Sequence, residues 1–152
     1  MKTNRLLPIV LAMLLALVAP SAAAAQQQGS AASLSGFVAT VARLWADGQA
    51  DALVELAPDD GRILLDLAGE GPGEVQPRNA AAALRRLFGE RETVTVRPTG
   101  ATVSGGTPLR GFGELTWVAR PRGVSETLSS VVYVGGVWED GAWRIRELRV
   151  LR

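Results

Sequence analysis

Asp66 is the residue whose surroundings best suit it to chemistry. It lies in Ile63-Leu64-Leu65-Asp66-Leu67, and a carboxyl held among leucines is partly desolvated, which raises its pKa and fits it to exchange a proton. Its plainer role is a strand-end carboxylate that faces solvent or pairs with an arginine. Little else in the chain could assist it. The 152 residues contain no His and no Cys, so the commonest general base, the commonest metal ligand, thiolate chemistry and disulfides are all excluded. The only lysine is Lys2, which removes a Schiff-base or phosphate-loop lysine from the rest of the chain. Asp66 is therefore a weak catalytic candidate, and no catalytic set is assigned.

The other constellations resolve into structural roles. Asp59-Asp60-Gly61 lacks the alternating oxygen ligands of a calcium loop and reads as a turn. The glycine-rich Gly69–Gly73 segment opens no helix directly and carries no phosphate-loop lysine, so it reads as a loop. Arg144, Arg146, Arg149 and Arg152 could form a basic strip, but no aromatic residues interleave with them, and a solvated sheet face is expected rather than a nucleic-acid surface. No Gly-x-Ser-x-Gly elbow is present. No metal site and no cofactor are expected.

These residues need elements to hold them. Lys2 and Arg5 precede an apolar stretch from Leu6 to Ala19, then Pro20, Ser21 and a run of alanines. That order is a secretory signal peptide, residues 1–25, cleaved before Gln26. The apolar stretch is shorter than the roughly 20 residues that span a bilayer, so export without a stable membrane span is expected. Residues 26–32 have little to bury and read as a flexible leader. Beyond residue 25 the chain keeps 14 Arg against 15 acids. The acids crowd residues 26–76 and the arginines residues 77–152, which predicts ion pairs between the two halves of one fold.

Leu34, Phe37, Val38, Val41, Leu44 and Trp45 form one stripe of a helix capped by Ser33 or Ser35 and ended by Asp47-Gly48. Short helical patterns follow at 50–57 and 78–88, with a strand at 63–67 between them. After Gly89 the period falls to two: strands are expected at 93–97, 109–120, 127–138 and 142–151. On the third of these helices Leu84 and Leu87 form the apolar edge. Trp117 shares a face with Leu109, Leu115 and Ala119, while Phe112 is out of pattern. Trp143 and Ile145 are out of phase with Leu148 and Val150, and a bulge near Arg146-Glu147 restores the phase. Three helices in the first half and a mostly antiparallel sheet in the second make an α+β domain over residues 33–152. Its expected core includes Leu34, Phe37, Val41, Leu44, Leu84, Leu87, Trp117, Trp143 and Ile145.

Three stretches give this order a likeness: Ala50–Leu56 running through Pro58-Asp59-Asp60 into strand 63–67, the Arg78-to-Phe88 helix after a glycine-rich loop, and the closing Asp140-Gly141-Ala142-Trp143-Arg144-Ile145. Together they resemble the nuclear transport factor 2-like superfamily, the cone-shaped α+β fold that includes SnoaL-like cyclases and ketosteroid isomerases. The resemblance covers about residues 34–151. It implies a curved sheet wrapped around the helices, with an opening at the wide end of the cone. It also implies that a ketosteroid-isomerase base position falls at or beside Asp66. The isomerase tyrosine position falls near Leu44, and its later acid near Ser129-Ser130, neither of which supplies the same chemistry.

Three functions follow. The first is an exported, non-catalytic domain that binds a small apolar molecule in the cone, with Trp45, Asp66, Trp117 and Tyr133 lining the pocket and Tyr133, the only tyrosine, setting orientation. The second is a structural or interaction module, a homodimer through the outer sheet face. The third is a small isomerase or cyclase using Asp66. If Tyr133 and Trp117 point to opposite sides of the sheet, the pocket reading gives way to the second.

Overall fold

The computed structural model describes residues 22–67 and 72–152. Most of the expected signal peptide, and Gly69–Gly71 of the expected loop, lie outside the described residues. Helix α1 (Ala22–Ala46) is followed by α2 (Ala50–Glu55), β1 (Ile63–Leu67), β2 (Gly73–Val75), α3 (Pro77–Glu90), β3 (Arg91–Gly105), β4 (Arg110–Pro121), β5 (Leu128–Glu139) and β6 (Ala142–Leu151). The strands form one sheet in the order β2-β1-β6-β5-β4-β3. Among the described strands only the β1–β6 pair is parallel. The fold class is thus the expected α+β, with β2 added from a stretch whose composition gives no strand signal.

The stripe on α1 packs as its spacing predicts: Leu34, Val38, Val41, Leu44 and Trp45 are buried, and Phe37 is half-buried against them. The helix ends in a Schellman motif, with Gly48 N–H donating to Trp45 O (3.1 Å) and Gln49 N–H to Leu44 O (2.9 Å). Gly48 takes a φ of +65°, which a glycine adopts without penalty. The start differs from expectation. Ser33 and Ser35 do not cap α1; their hydroxyls donate back to Ser30 O and Ala31 O from within the helix. Residues 26–32, read from composition as a leader, are helical backbone continuous with the packed turns, and their alanines and glutamines are good helix formers.

The sheet alternates cleanly. Leu115, Trp117 and Ala119 on β4, Val132 and Val134 on β5, and Ile63, Leu65 and Leu67 on β1 are buried on the inner face, against the helices. On β6 Trp143, Ile145, Leu148 and Val150 are all buried. Their phase is restored at Arg146, since Gly135 pairs with Glu147 and Gly136 with Ile145. Two glycines let α1 approach the sheet. A Cβ on Gly113 would lie 2.3 Å from Val38 Cγ2, and one on Gly111 would lie 2.7 Å from Leu34 Cδ2. The side chain missing at each is replaced by a helix side chain.

Two ion pairs tie the acidic first half to the basic second half. Arg85 on α3 pairs with Asp51 on α2, and Arg146 pairs with Asp60 at 2.8 Å.

Candidate functional site

The four residues expected to line one pocket divide between the two faces of the sheet. Trp45 and Trp117 are inside and fully buried. Their rings meet edge to face at 5.4 Å, and Phe88 closes on Trp45 at 5.2 Å. Trp117 Nε1 donates to Thr93 Oγ1 at 3.0 Å, and the Arg91 guanidinium lies 5.4 Å from its ring centroid. The two tryptophans fill the inside of the cone rather than line a space.

Tyr133 and Asp66 are outside. Strand pairing sets Tyr133 opposite Glu114 on β4 and Arg149 on β6, one residue out of step with the buried Val132 and Val134. Asp66 lies opposite Arg149 on the parallel side, on the same face as Leu64. The expected cone pocket of Trp45, Asp66, Trp117 and Tyr133 is therefore corrected. A strand sends adjacent residues to opposite faces, and the Val-rich stretch 127–138 hides which of them face inward. The isomerase-like positions do not converge either, since Asp66 lies on the outer face while Leu44 and Ser130 are buried.

The residue that fell out of pattern in the sequence explains the outer face. Phe112 stacks on Tyr133 with centroids 5.7 Å apart and planes 20° apart. Beside this pair lies a cavity of about 480 Å3, lined among others by Arg110, Phe112, Tyr133, Gly135, Arg146 and Glu147. Gly135 stands between the two side chains that close over it. A Cβ there would lie 2.9 Å from Glu147 Cβ and 3.5 Å from Tyr133 Cε1, so only glycine leaves both side chains room. Burial pushes the Tyr133 hydroxyl above its ordinary pKa of 10.0, and the Glu147 carboxylate adds to the effect. Tyr133 is thus a neutral hydroxyl over the whole physiological range.

Most charges around the cavity are already matched. Glu147 pairs with Arg149, and Glu74 with Arg62 at 3.5 Å. Arg146 reaches both Asp60 oxygens, at 2.8 and 3.0 Å, and Glu139 at 3.6 Å. Those bonds, with the Arg62 N–H at 3.0 Å, hold the Asp60 carboxyl below its usual value. Asp59-Asp60-Gly61 is the turn that its composition predicts, closed by Gly61 N–H to Pro58 O at 2.8 Å. Its clamp on Arg146, 86 residues away, has no signal in the local sequence. Arg110 and, across Val137 from it, Arg144 have no ion-pair partner among the described residues.

Among the described residues no group of three or more His, Cys, Asp or Glu side chains is arranged to hold a metal ion, and no helix is long and apolar enough to cross a membrane.

No protein-family profile matches this chain, and no curated protein matches it. Solved structures do. A DUF4783 family protein from Bacteroides uniformis superposes with a TM-score of 0.59 at 12% identity, over 74% of this chain and 93% of that one. An NTF2-like protein with a cystatin-like fold from Novosphingobium aromaticivorans gives 0.60 at 19% identity, over 85% of each chain. The Kfla4162 protein from Kribbella flavida gives 0.64 at 16% identity, over 84% of this chain and 91% of that one. At these identities the likeness is one of fold. With three helices on the inner face of a curved six-stranded sheet, this chain has the nuclear transport factor 2-like cone fold.

Proposed function

We propose that this chain is an exported association module that pairs with a second copy of itself through the outer face of its sheet. The observation that carries this reading is the position of its exposed apolar side chains. Val131 is 38% exposed and Leu151 44% exposed, and the two are neighbours in register on β5 and β6, with Thr116 beside Val131 on β4. The helices pack against the inner face, so nothing among the described residues covers this patch.

The edges of the sheet offer a poorer contact. β2 has three residues, and β3 is broken by register shifts near Thr93, Pro98 and Val103. Short strands, bulges and proline all discourage edge pairing. A face-to-face pair with its two-fold axis along β5 sets β1 of one copy against β3 of the other. Asp66 of one copy then lies about 7 Å along the strand from the level of Arg97 of the other, twice over, within reach of a long guanidinium arm, and neither has an ion-pair partner among the described residues. Such an isologous pair is the commonest oligomer symmetry.

The absence of native cysteine makes the test clean. Val131→Cys places one thiol near the proposed axis, and a short bis-maleimide should then link two chains. A cysteine at exposed Val124, off the sheet, should not link. Equal linking of both, or of neither, overturns the reading. Export is tested separately by sequencing the N-terminus of the secreted protein, which should begin at or near Gln26; an intact Met1 on membrane-bound protein would contradict it.

A further inference from the structure

We propose that the outer-face cavity beside Phe112 and Tyr133 binds a small aromatic carboxylate, its ring against the aromatic pair and its carboxylate on Arg110. The inference does not rest on the pairing of two copies.

Its size comes first. A space of about 480 Å3 lies within the range of small-molecule sites, roughly 300–1,000 Å3. Glycine at 135 lets the Glu147 and Tyr133 side chains come together beside it, since a Cβ there would lie 2.9 Å from Glu147 Cβ. One wall is a near-parallel aromatic pair, a surface that favours a third flat ring in offset or edge contact.

Charge decides the rest. The two carboxylates of the lining, Glu74 and Glu147, are each held by an arginine outside the cavity wall. Arg146 is committed to Asp60 and Glu139. Arg110 alone of the charged lining residues has no ion-pair partner among the described residues. Arg144 stands one strand beyond, across Val137, and adds positive potential of the same sign. Within the lining the unmet charge is positive, at the Arg110 end, while Glu114, unpaired among the described residues, stands outside it opposite Tyr133; an anion at Arg110 is therefore the complementary ligand, and a guanidinium takes a carboxylate through two parallel hydrogen bonds. Arg110 and Phe112 are two residues apart on one face of β4, about 7 Å along the strand. That spacing suits a carboxylate carried on a short arm from a ring. The Tyr133 hydroxyl, kept protonated, remains a donor at the rim.

The outer patch proposed for pairing and this cavity lie toward opposite ends of β5. Tyr133, the lining residue nearest the patch, is about 7 Å along the strand from Val131, and Val137 is about 20 Å from it; neither Val131 nor Leu151 lines the cavity. Occupancy of one does not require the other.

The test is calorimetric titration of the full-length chain with phenylpropionate, with phenylpropylamine and acetate as comparison probes. The carboxylate should bind, and the amine and acetate should bind at least about tenfold more weakly, which is the worth of one good charge-assisted contact. Arg110→Gln should weaken phenylpropionate about tenfold at unchanged melting temperature. Phe112→Ala should weaken it as well, and the Tyr133 ring signals should shift on titration. Leu151→Ser, an uncharged change at an exposed residue of the proposed pairing patch that is not in the cavity lining, should bind phenylpropionate as the wild type does. No binding at millimolar probe, equal binding of the amine, or indifference to Arg110→Gln overturns the proposal. Binding retained in Leu151→Ser upholds it whether or not the chain pairs, and binding lost there overturns it.

Discussion

Gly113→Ala tests how the cone is filled. The new methyl carbon would fall 2.3 Å from Val38 Cγ2 and 2.8 Å from its Cγ1, and Val38 is fully buried on α1. Neither partner can swing aside, because one is a sheet backbone position and the other a β-branched side chain on a helix. Overpacking of this kind costs about 1–3 kcal/mol. Replacing a strand glycine returns roughly 0.5–1 kcal/mol of backbone entropy, which leaves a net loss of about 1.5 kcal/mol. Val38→Ala alone removes two buried methyl groups, worth about 0.8 kcal/mol each, and leaves a void, so it should cost about 2.5 kcal/mol.

Combined, the two changes relieve each other: the methyl at 113 enters the space that the valine leaves. The double variant should lose only about 1.5 kcal/mol, a coupling of roughly 2.5 kcal/mol in favour of the pair. At about 4 °C of melting temperature per kcal/mol for a domain of this size, the single variants should melt about 6 and 10 °C low and the double about 6 °C low. Gly89→Ala is the control, since nothing lies within 4 Å of its Cβ and it sits inside α3. It should stabilise by about 0.5–1 kcal/mol. Thermal melts followed by circular dichroism read all four. Additive losses in the double variant, near 16 °C in total, would refute the packing of α1 against β4.

Three further outcomes follow. Trp143→Ala should cost about 3–5 kcal/mol in denaturant melts, because the ring is buried and its Nε1 donates to Ser33 Oγ at 3.0 Å; a loss below about 1 kcal/mol would place β6 in the wrong register. The Tyr133 phenol, followed by its absorbance, should titrate above 10.0. Its folded pKa is raised, so the unfolded chain ionises first and stability falls as pH climbs past 10.0; Glu147→Gln should bring the midpoint down, and a midpoint at or below 10.0 would contradict the half-buried placement beside Glu147. The Asp60 carboxyl should titrate below 3.8 by carbon-detected NMR. Its contribution is complete at neutral pH and lost as pH falls through that depressed value, and Arg146→Gln should return it to the ordinary range; an unshifted midpoint in the wild type contradicts the clamp.

The fold was legible where one periodicity ran long enough to dominate. The α1 stripe, strand 142–151 and the bulge at Arg146 follow from spacing, and strand 63–67 from a short apolar run flanked by glycines. β2 did not, because three residues carry no period and its pairing with β1 is a long-range contact. The start of α1 was missed because Ser33 and Ser35 are good caps by type but bond equally well to a carbonyl one turn back. The face of Tyr133 was hidden in Leu128–Glu139, where valines and glycines occupy both faces. The useful signal was Phe112. An aromatic residue out of phase on an otherwise regular strand marks the outer face, and its partner Tyr133 is a diagonal neighbour, since the register sets Phe112 opposite Gly135.

Sedimentation equilibrium of the wild type beside Val131→Glu/Leu151→Glu tests the central claim most directly. Both residues are exposed, so the charges should change the stability of a single chain by no more than about 1 kcal/mol. The account predicts a dimer for the wild type and a monomer for the double variant. A wild type that remains monomeric at high micromolar concentration, or a double variant that still pairs, would contradict the claim that this protein works through the outer face of its sheet.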